Sequence, residues 1–123
     1  MNIQQLYEFC LSKKGVTEHF PFDEDTLVFK VGGKMFALTS LKKFETGQPS
    51  LNLKCNPEKA LELRANYQGI EPGYHMSKVH WNTVHINQDV STKLLCELIT
   101  HSYDLVFKSL TKKIQDEINK LEK

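Results

Sequence analysis

Cysteine is scarce in this chain, and its placement excludes more than its number does. Cys10, Cys55 and Cys96 are odd in count, far apart and never in a CxxC pair. That spacing excludes a zinc ribbon and a thioredoxin-type redox pair, and three reduced thiols in a cytoplasmic protein are expected. Neither GxxxxGK(S/T) nor GxGxxG occurs, so no phosphate-cradling loop is written in the sequence. No apolar run approaches the roughly 20 residues that span a bilayer. Met1 to Gly15 lacks the basic start and apolar centre of a signal peptide, so no membrane association is expected. Arginine is almost missing: fifteen of the sixteen cations are Lys, and Arg64 is the exception. Lys meets a phosphate as a point charge, whereas Arg forks onto guanine edges. Any DNA contact should therefore be largely blind to base sequence.

A strong net charge is lacking too. The formal charge of +1 argues against the profile of an obligate nucleic-acid binder. The charge is uneven, however. From Lys30 to His80 there are eight cations and four anions, so that segment carries +4 and the remainder −3. A basic face of this kind permits weak binding to phosphates. With 123 residues, 40% hydrophobic and 25% charged, one domain with a true core is expected over 1–123.

Periodicity places the elements. Ile3, Leu6, Phe9 or Cys10 and Lys13 follow the helical period over residues 2–14, and Gly15 stops it. Glu18 to Asp25 reads as a loop whose two Phe residues tuck into the core. Leu27–Val31 and Lys34–Leu38 flank Gly32-Gly33, a pair that tolerates the positive φ of a type I′ hairpin turn. Residues 41–49 read as a polar loop and Ser50–Cys55 as a third strand. Asn56-Pro57-Glu58 has the cap, first-turn proline and acid of a helix start, running to about Tyr67. Gly69 to Gly73 reads as a turn, and Tyr74–Ser77 with Val79–Ile86 as one or two strands. The last long helix opens at Asp89 or Ser91 and carries Leu94, Leu95, Leu98, Ile99, Val106 and Phe107. The tail over 111–123 has helical spacing and reads as a helix packed on the domain, a partner-facing helix or a frayed end. This order predicts an α+β fold, with a mainly antiparallel sheet packed by helices on one face.

Candidate chemistry is thin. His75, His80 and His85 are spaced by five, so neighbours alternate faces in a strand, and zinc needs three or four converging ligands. No metal and no cofactor is expected. Cys55 sits near a helix start that would favour a thiolate, but it alternates with Leu51 and Leu53 and reads as a buried thiol. Asp23, Glu24 and Asp25 read as a solvated acidic rim, with a hard-oxygen iron site as the alternative. No nucleophile–base pair is apparent, and the protein is read as a non-enzyme. Trp81 is either core, the usual fate of a lone Trp, or part of a binding surface.

The stretches FPFDEDTLVFKVGGKMFAL, LNLKCNPEKALELR, YQGIEPGYHMSKVHWNTV and HSYDLVFKSL together resemble the MmcQ/YjbR family of small bacterial proteins. The likeness spans residues 1–111, and LKCNPE and PGYHMSKxHWNTV are its specific parts; Asp23 departs from it, where Gly often follows Pro-Phe. The resemblance implies a CyaY-like fold and a DNA-binding role in which two hairpin-like wings contact the duplex. By position the wings are the Lys30–Lys34 hairpin and the segment His75–Asn82. Read from the residues themselves, the candidate nucleic-acid contacts are Lys30, Lys34, Lys54, His75, Lys78, His80 and Asn82, with Lys meeting phosphates and His and Asn reaching sugars or base edges. The alternative partner is a small molecule or a protein, held in a pocket around Tyr74, His75, His80 and Trp81.

Overall fold

The computed structural model describes residues 1–121. Its strands are β1 (Val16–His19), β2 (Thr26–Val31), β3 (Lys34–Ser40), β4 (Ser50–Lys54), β5 (Ile70–Pro72) and β6 (Trp81–His85). Its helices are α1 (Ile3–Leu11), α2 (Leu41–Glu45), α3 (Pro57–Asn66), α4 (Thr92–Ser109) and α5 (Lys112–Asn119). The strands form one sheet in the order β1-β2-β3-β4-β6-β5, antiparallel at every step. The α+β class with an antiparallel sheet is thus the one observed.

Local chemistry accounts for the key elements. Gly32 (φ +58°) and Gly33 (φ +82°) supply the two positive φ values that the β2–β3 turn needs. Gly32 also lets α4 end beneath the turn, since a Cβ there would lie 2.6 Å from Leu110 Cδ1. At α3 the Asn56 carboxamide accepts from the N–H groups of Glu58 (3.0 Å) and Lys59 (3.2 Å), with Pro57 in the first turn. Helix α1 is closed by a capping box between Asn2 and Gln5.

Cross-strand partners share a face, so the register sorts the side chains. The inner face presents Leu27, Phe29, Val31, Ala37, Leu51, Leu53 and Val84. It packs on Leu6 and Cys10 of α1, Ala60 and Leu63 of α3, and Leu95, Leu98, Ile99 and Val106 of α4. Rings run across this layer from Tyr7 to Phe29, Phe36, Tyr103 and Phe107, with centroids 5.5–6.5 Å apart. The outer face carries a smaller apolar cluster of Val28, Leu38 and Trp81, with Met35 and Met76 against it, and none of these residues is helical.

Several expectations are corrected. Strand β1 begins at Val16, and β5 occupies the expected turn over 69–73. Both are edge or near-edge strands with mostly exposed side chains, so no apolar alternation marks them. A short helix, α2, sits in the expected 41–49 loop, capped by the Ser40 hydroxyl. Residues 74–80 are turns rather than strand, because Gly73 N–H bonds back to the Trp81 carbonyl (2.9 Å) and His75 takes φ +57°. Phe20 and Phe22 are exposed rather than tucked into the core. Of the 111–123 tail, α5 packs on the domain through buried Ile118, whose side chain lies where a Cβ on Gly15 would go; residues 122 and 123 lie outside the described residues. Among the described residues no helix is long and apolar enough to cross a membrane.

Candidate functional site

Strand direction brings two connections to one end of the sheet. β2 runs towards Gly32-Gly33, β4 ends at Lys54, and β5 ends and β6 begins at the same end. There Lys54 pairs with Trp81, and the ladder extends one step as Cys55 N–H bonds the His80 carbonyl at 2.8 Å. Ser77 O accepts from the N–H groups of both His80 and Trp81, which folds Ser77–His80 into a turn at this end. Lys30, Lys34, Lys54, Lys78 and His80 therefore gather at the sheet end that carries the β2–β3 turn and the β5–β6 loop. Lys34, Lys78 and His80 are exposed, and Lys30 and Lys54 half-buried. The Lys78 ammonium is steadied by the Gly73 carbonyl at 3.1 Å. Asp23, Glu24 and Asp25 precede β2 and so stand at the opposite end.

Two of the expected DNA contacts belong elsewhere. Asn82 pairs with Leu53 and points to the inner face, where it is only 2% exposed. Its Oδ1 accepts from Arg64 Nε at 2.7 Å, so it cannot reach a base edge. Its Nδ2 has no partner among the described residues. Arg64 Nη2 also donates to the carbonyls of Trp81 (3.2 Å) and Lys78, so one guanidinium ties α3 to the turn before β6. His75 lies over the outer face, its ring 4.0 Å from that of Tyr74, away from the basic end.

Tyr74 and His75 instead line a cleft of about 490 Å³ on the outer face. The floor comes from four strands: Thr26 of β2, Leu38 and Ser40 of β3, Ser50 and Asn52 of β4, and Thr83 of β6. Phe22 and Asp25 stand on the β2 side, Tyr74, His75 and Met76 on the β6 side, and Lys43 of α2 beside them. The loop is fixed to the floor by backbone, since Tyr74 N–H donates to Thr83 Oγ1 (2.9 Å) and Asn52 Nδ2 to Tyr74 O (3.3 Å), while the Thr83 hydroxyl donates to Asn52 Oδ1. Of the pocket expected around Tyr74, His75, His80 and Trp81, only the first two line this cleft. Trp81 is buried in the apolar cluster, and His80 sits at the sheet end. The sequence reading missed Phe22, Lys43, Ser50, Asn52 and Thr83; each is an ordinary residue type, and the strand register brings only the last three together, while a loop and α2 add the others.

The remaining candidates are structural or incomplete. Burial pushes the Cys55 thiol above its ordinary range despite Lys59 and Arg64 nearby, and pushes Cys10 up to about 12, so neither is a thiolate nucleophile at neutral pH. Asp23 accepts from Thr26 N–H (2.6 Å) and Asp25 N–H (2.9 Å), bonds that hold its carboxyl below the usual range. Asp25 accepts from the Ser40 hydroxyl and from Lys42 N–H (2.7 Å), so these carboxylates shape a turn and cap α2. His85 Nε2 lies 2.5 Å from Glu71 Oε2 beside a shallow groove on the far side of Tyr74. Such a pair can orient a base, but no Cys or Ser lines that groove and the Thr83 hydroxyl is already committed. Among the described residues no three His, Cys, Asp or Glu side chains converge on a metal position.

A family model described as YjbR matches residues 11–105. The uncharacterised protein YbdF of Escherichia coli O157:H7 is 41% identical over 99 residues, covering 80% of this chain and 79% of that one. The uncharacterised protein YjbR of Escherichia coli K12 is 30% identical over 103 residues, covering 84% and 85%. Among solved structures, protein DR2400 of Deinococcus radiodurans, a DUF419 domain, superposes with a TM-score of 0.87 at 40% identity, covering 96% of this chain and 88% of that one. A protein from Pseudomonas syringae superposes with a TM-score of 0.73 at 31% identity, covering 86% and 99%.

Proposed function

The chain belongs to the YjbR family, and from that premise we propose that it is a small, non-enzymatic protein that binds duplex DNA weakly through the basic end of its sheet. The observation that carries the reading is topological. The β2–β3 turn and the β5–β6 loop emerge side by side, and Lys30, Lys34, Lys54, Lys78 and His80 stand on or beside them. Two projecting connections separated by one strand, β4, suit a contact with two stretches of phosphate backbone. Lysine dominates the end, so the contact positions the protein without reading bases. Carboxylates at the opposite end of β2 would orient approach to the polyanion.

Four lysines meeting phosphates give an expected slope of log affinity against log salt of roughly −3 to −4. Fluorescence anisotropy with a labelled duplex of arbitrary sequence measures it. Lys30→Glu with Lys34→Glu, both outside the two hydrophobic clusters, is expected to weaken binding at least about tenfold. No binding at low salt, or an unaltered affinity in that double variant, removes DNA from this surface.

A further inference from the structure

A second, independent site lies on the outer face. We propose that the cleft between Phe22 and Tyr74 binds a small, flat aromatic molecule bearing one anionic group, a carboxylate or a phosphate. Nothing in this inference depends on the DNA contact, which uses the end of the sheet rather than its face.

The aromatic requirement comes from the walls. Phe22 is 64% exposed and Tyr74 61%, on opposite sides of the cleft. Large rings left in water beside a concave surface gain area burial and stacking when a flat guest enters. The Tyr74 backbone, not its ring, makes the bonds to Asn52 and Thr83, so the ring is presented on a fixed anchor. Leu38 and Met76 add apolar surface within.

The charge requirement comes from Lys43. Its ammonium lies 5.6 Å from the centre of the Tyr74 ring and has no hydrogen bond or ion pair to a described residue. Asp25 is the one carboxylate among the lining residues, and its oxygens accept from the Ser40 hydroxyl and Lys42 N–H, which turn it towards the start of α2. The charged donor left without an acceptor in the cleft is therefore Lys43. An anion there would make a charge-assisted hydrogen bond that a neutral analogue cannot. The Ser50 hydroxyl, at the floor and without a partner among the described residues, offers a second polar contact.

Amide chemical-shift titration with naphthoate, naphthamide and naphthylmethylamine tests the proposal. The three share a ring system and differ in charge. Naphthoate is expected to shift the amides of Phe22, Leu38, Ser50, Tyr74 and Met76, and to bind about tenfold more tightly than naphthamide. Lys43→Gln should bring naphthoate down to the naphthamide level, and Phe22→Ala should weaken both. Both side chains are exposed, so the spectra of the variants should retain the native dispersion that validates the comparison. A naphthoate-bound cleft that is indifferent to Lys43→Gln overturns the anion site. Tighter binding of the amine, or shifts confined to other surfaces at millimolar probe, overturns the proposal whole.

Discussion

Trp81→Ala is expected to destabilise the protein by about 3–5 kcal/mol, lowering the melting temperature by roughly 10–20 °C. The indole is 9% exposed and fills the outer-face cluster with Val28, Leu38, Met35 and Met76. That cluster has no helix to settle into the space left behind. The loop through Gly73–His80 lies against the cluster through Met76. Gly73 meets Trp81 at its Cβ and carbonyl, which alanine keeps, so the loop's base stays tied while Met76 loses the ring it packs on. Loss of the ring should therefore loosen the loop at Met76 as well as cost stability. Amide exchange at Met76 should accelerate more than at Phe29 in the inner core. Trp81→Phe keeps most of the packing and is expected to cost only about 1–2 kcal/mol. Urea melts with unchanged midpoints for Trp81→Ala, or uniform exchange across loop and core, would contradict this role.

What the sequence disclosed depended on whether local chemistry or tertiary register decided the outcome. The Gly32-Gly33 hairpin and the start of α3 were legible because turn φ values and cap bonds are made by residues adjacent in the chain. β1 and β5 were not, because edge strands bury one side at most. The run from Tyr74 to Asn82 was legible as important but not as a shape. In β6 Trp81, Asn82, Thr83 and Val84 are all buried, so no alternation distinguishes the two faces. Asn82 was thus assigned to the surface when it faces the helices, and Trp81 stayed open between core and surface. The basic end was legible in its lysines; the cleft was not, because its residues come from four strands, two loops and α2. The lone arginine carries a structural meaning that composition alone does not convey. A chain that uses Lys for every other cation keeps a single Arg at 64, where a planar fork reaches three oxygens at once.

That fork makes Arg64→Ala the second large effect, expected at about 2–4 kcal/mol. The substitution removes the donors to Asn82 Oδ1, Trp81 O and Lys78 O together. Asn82 suffers most, because its Nδ2 already lacks a partner and its Oδ1 would then lack one too, at 2% exposure. Most of the cost is the desolvation of that orphaned amide rather than the lost attraction, and this distinction can be measured. If it holds, removing the orphan along with the arginine should recover stability. Arg64→Ala with Asn82→Leu is expected to be more stable than Arg64→Ala alone, with a coupling of about 1–2 kcal/mol in the double-mutant cycle. Arg64→Lys should fall between the wild type and Arg64→Ala, since one ammonium cannot serve three carbonyl-type oxygens in the same geometry. Additive single and double variants would mean that Arg64 stabilises through its packing on α3 instead. Lys78 and His80 ride on the turn that Arg64 anchors, so Arg64→Ala should also weaken the DNA contact through loss of order in one wing. It should shrink the salt slope by about one at most, the share of Lys78, because Lys30, Lys34 and Lys54 are untouched.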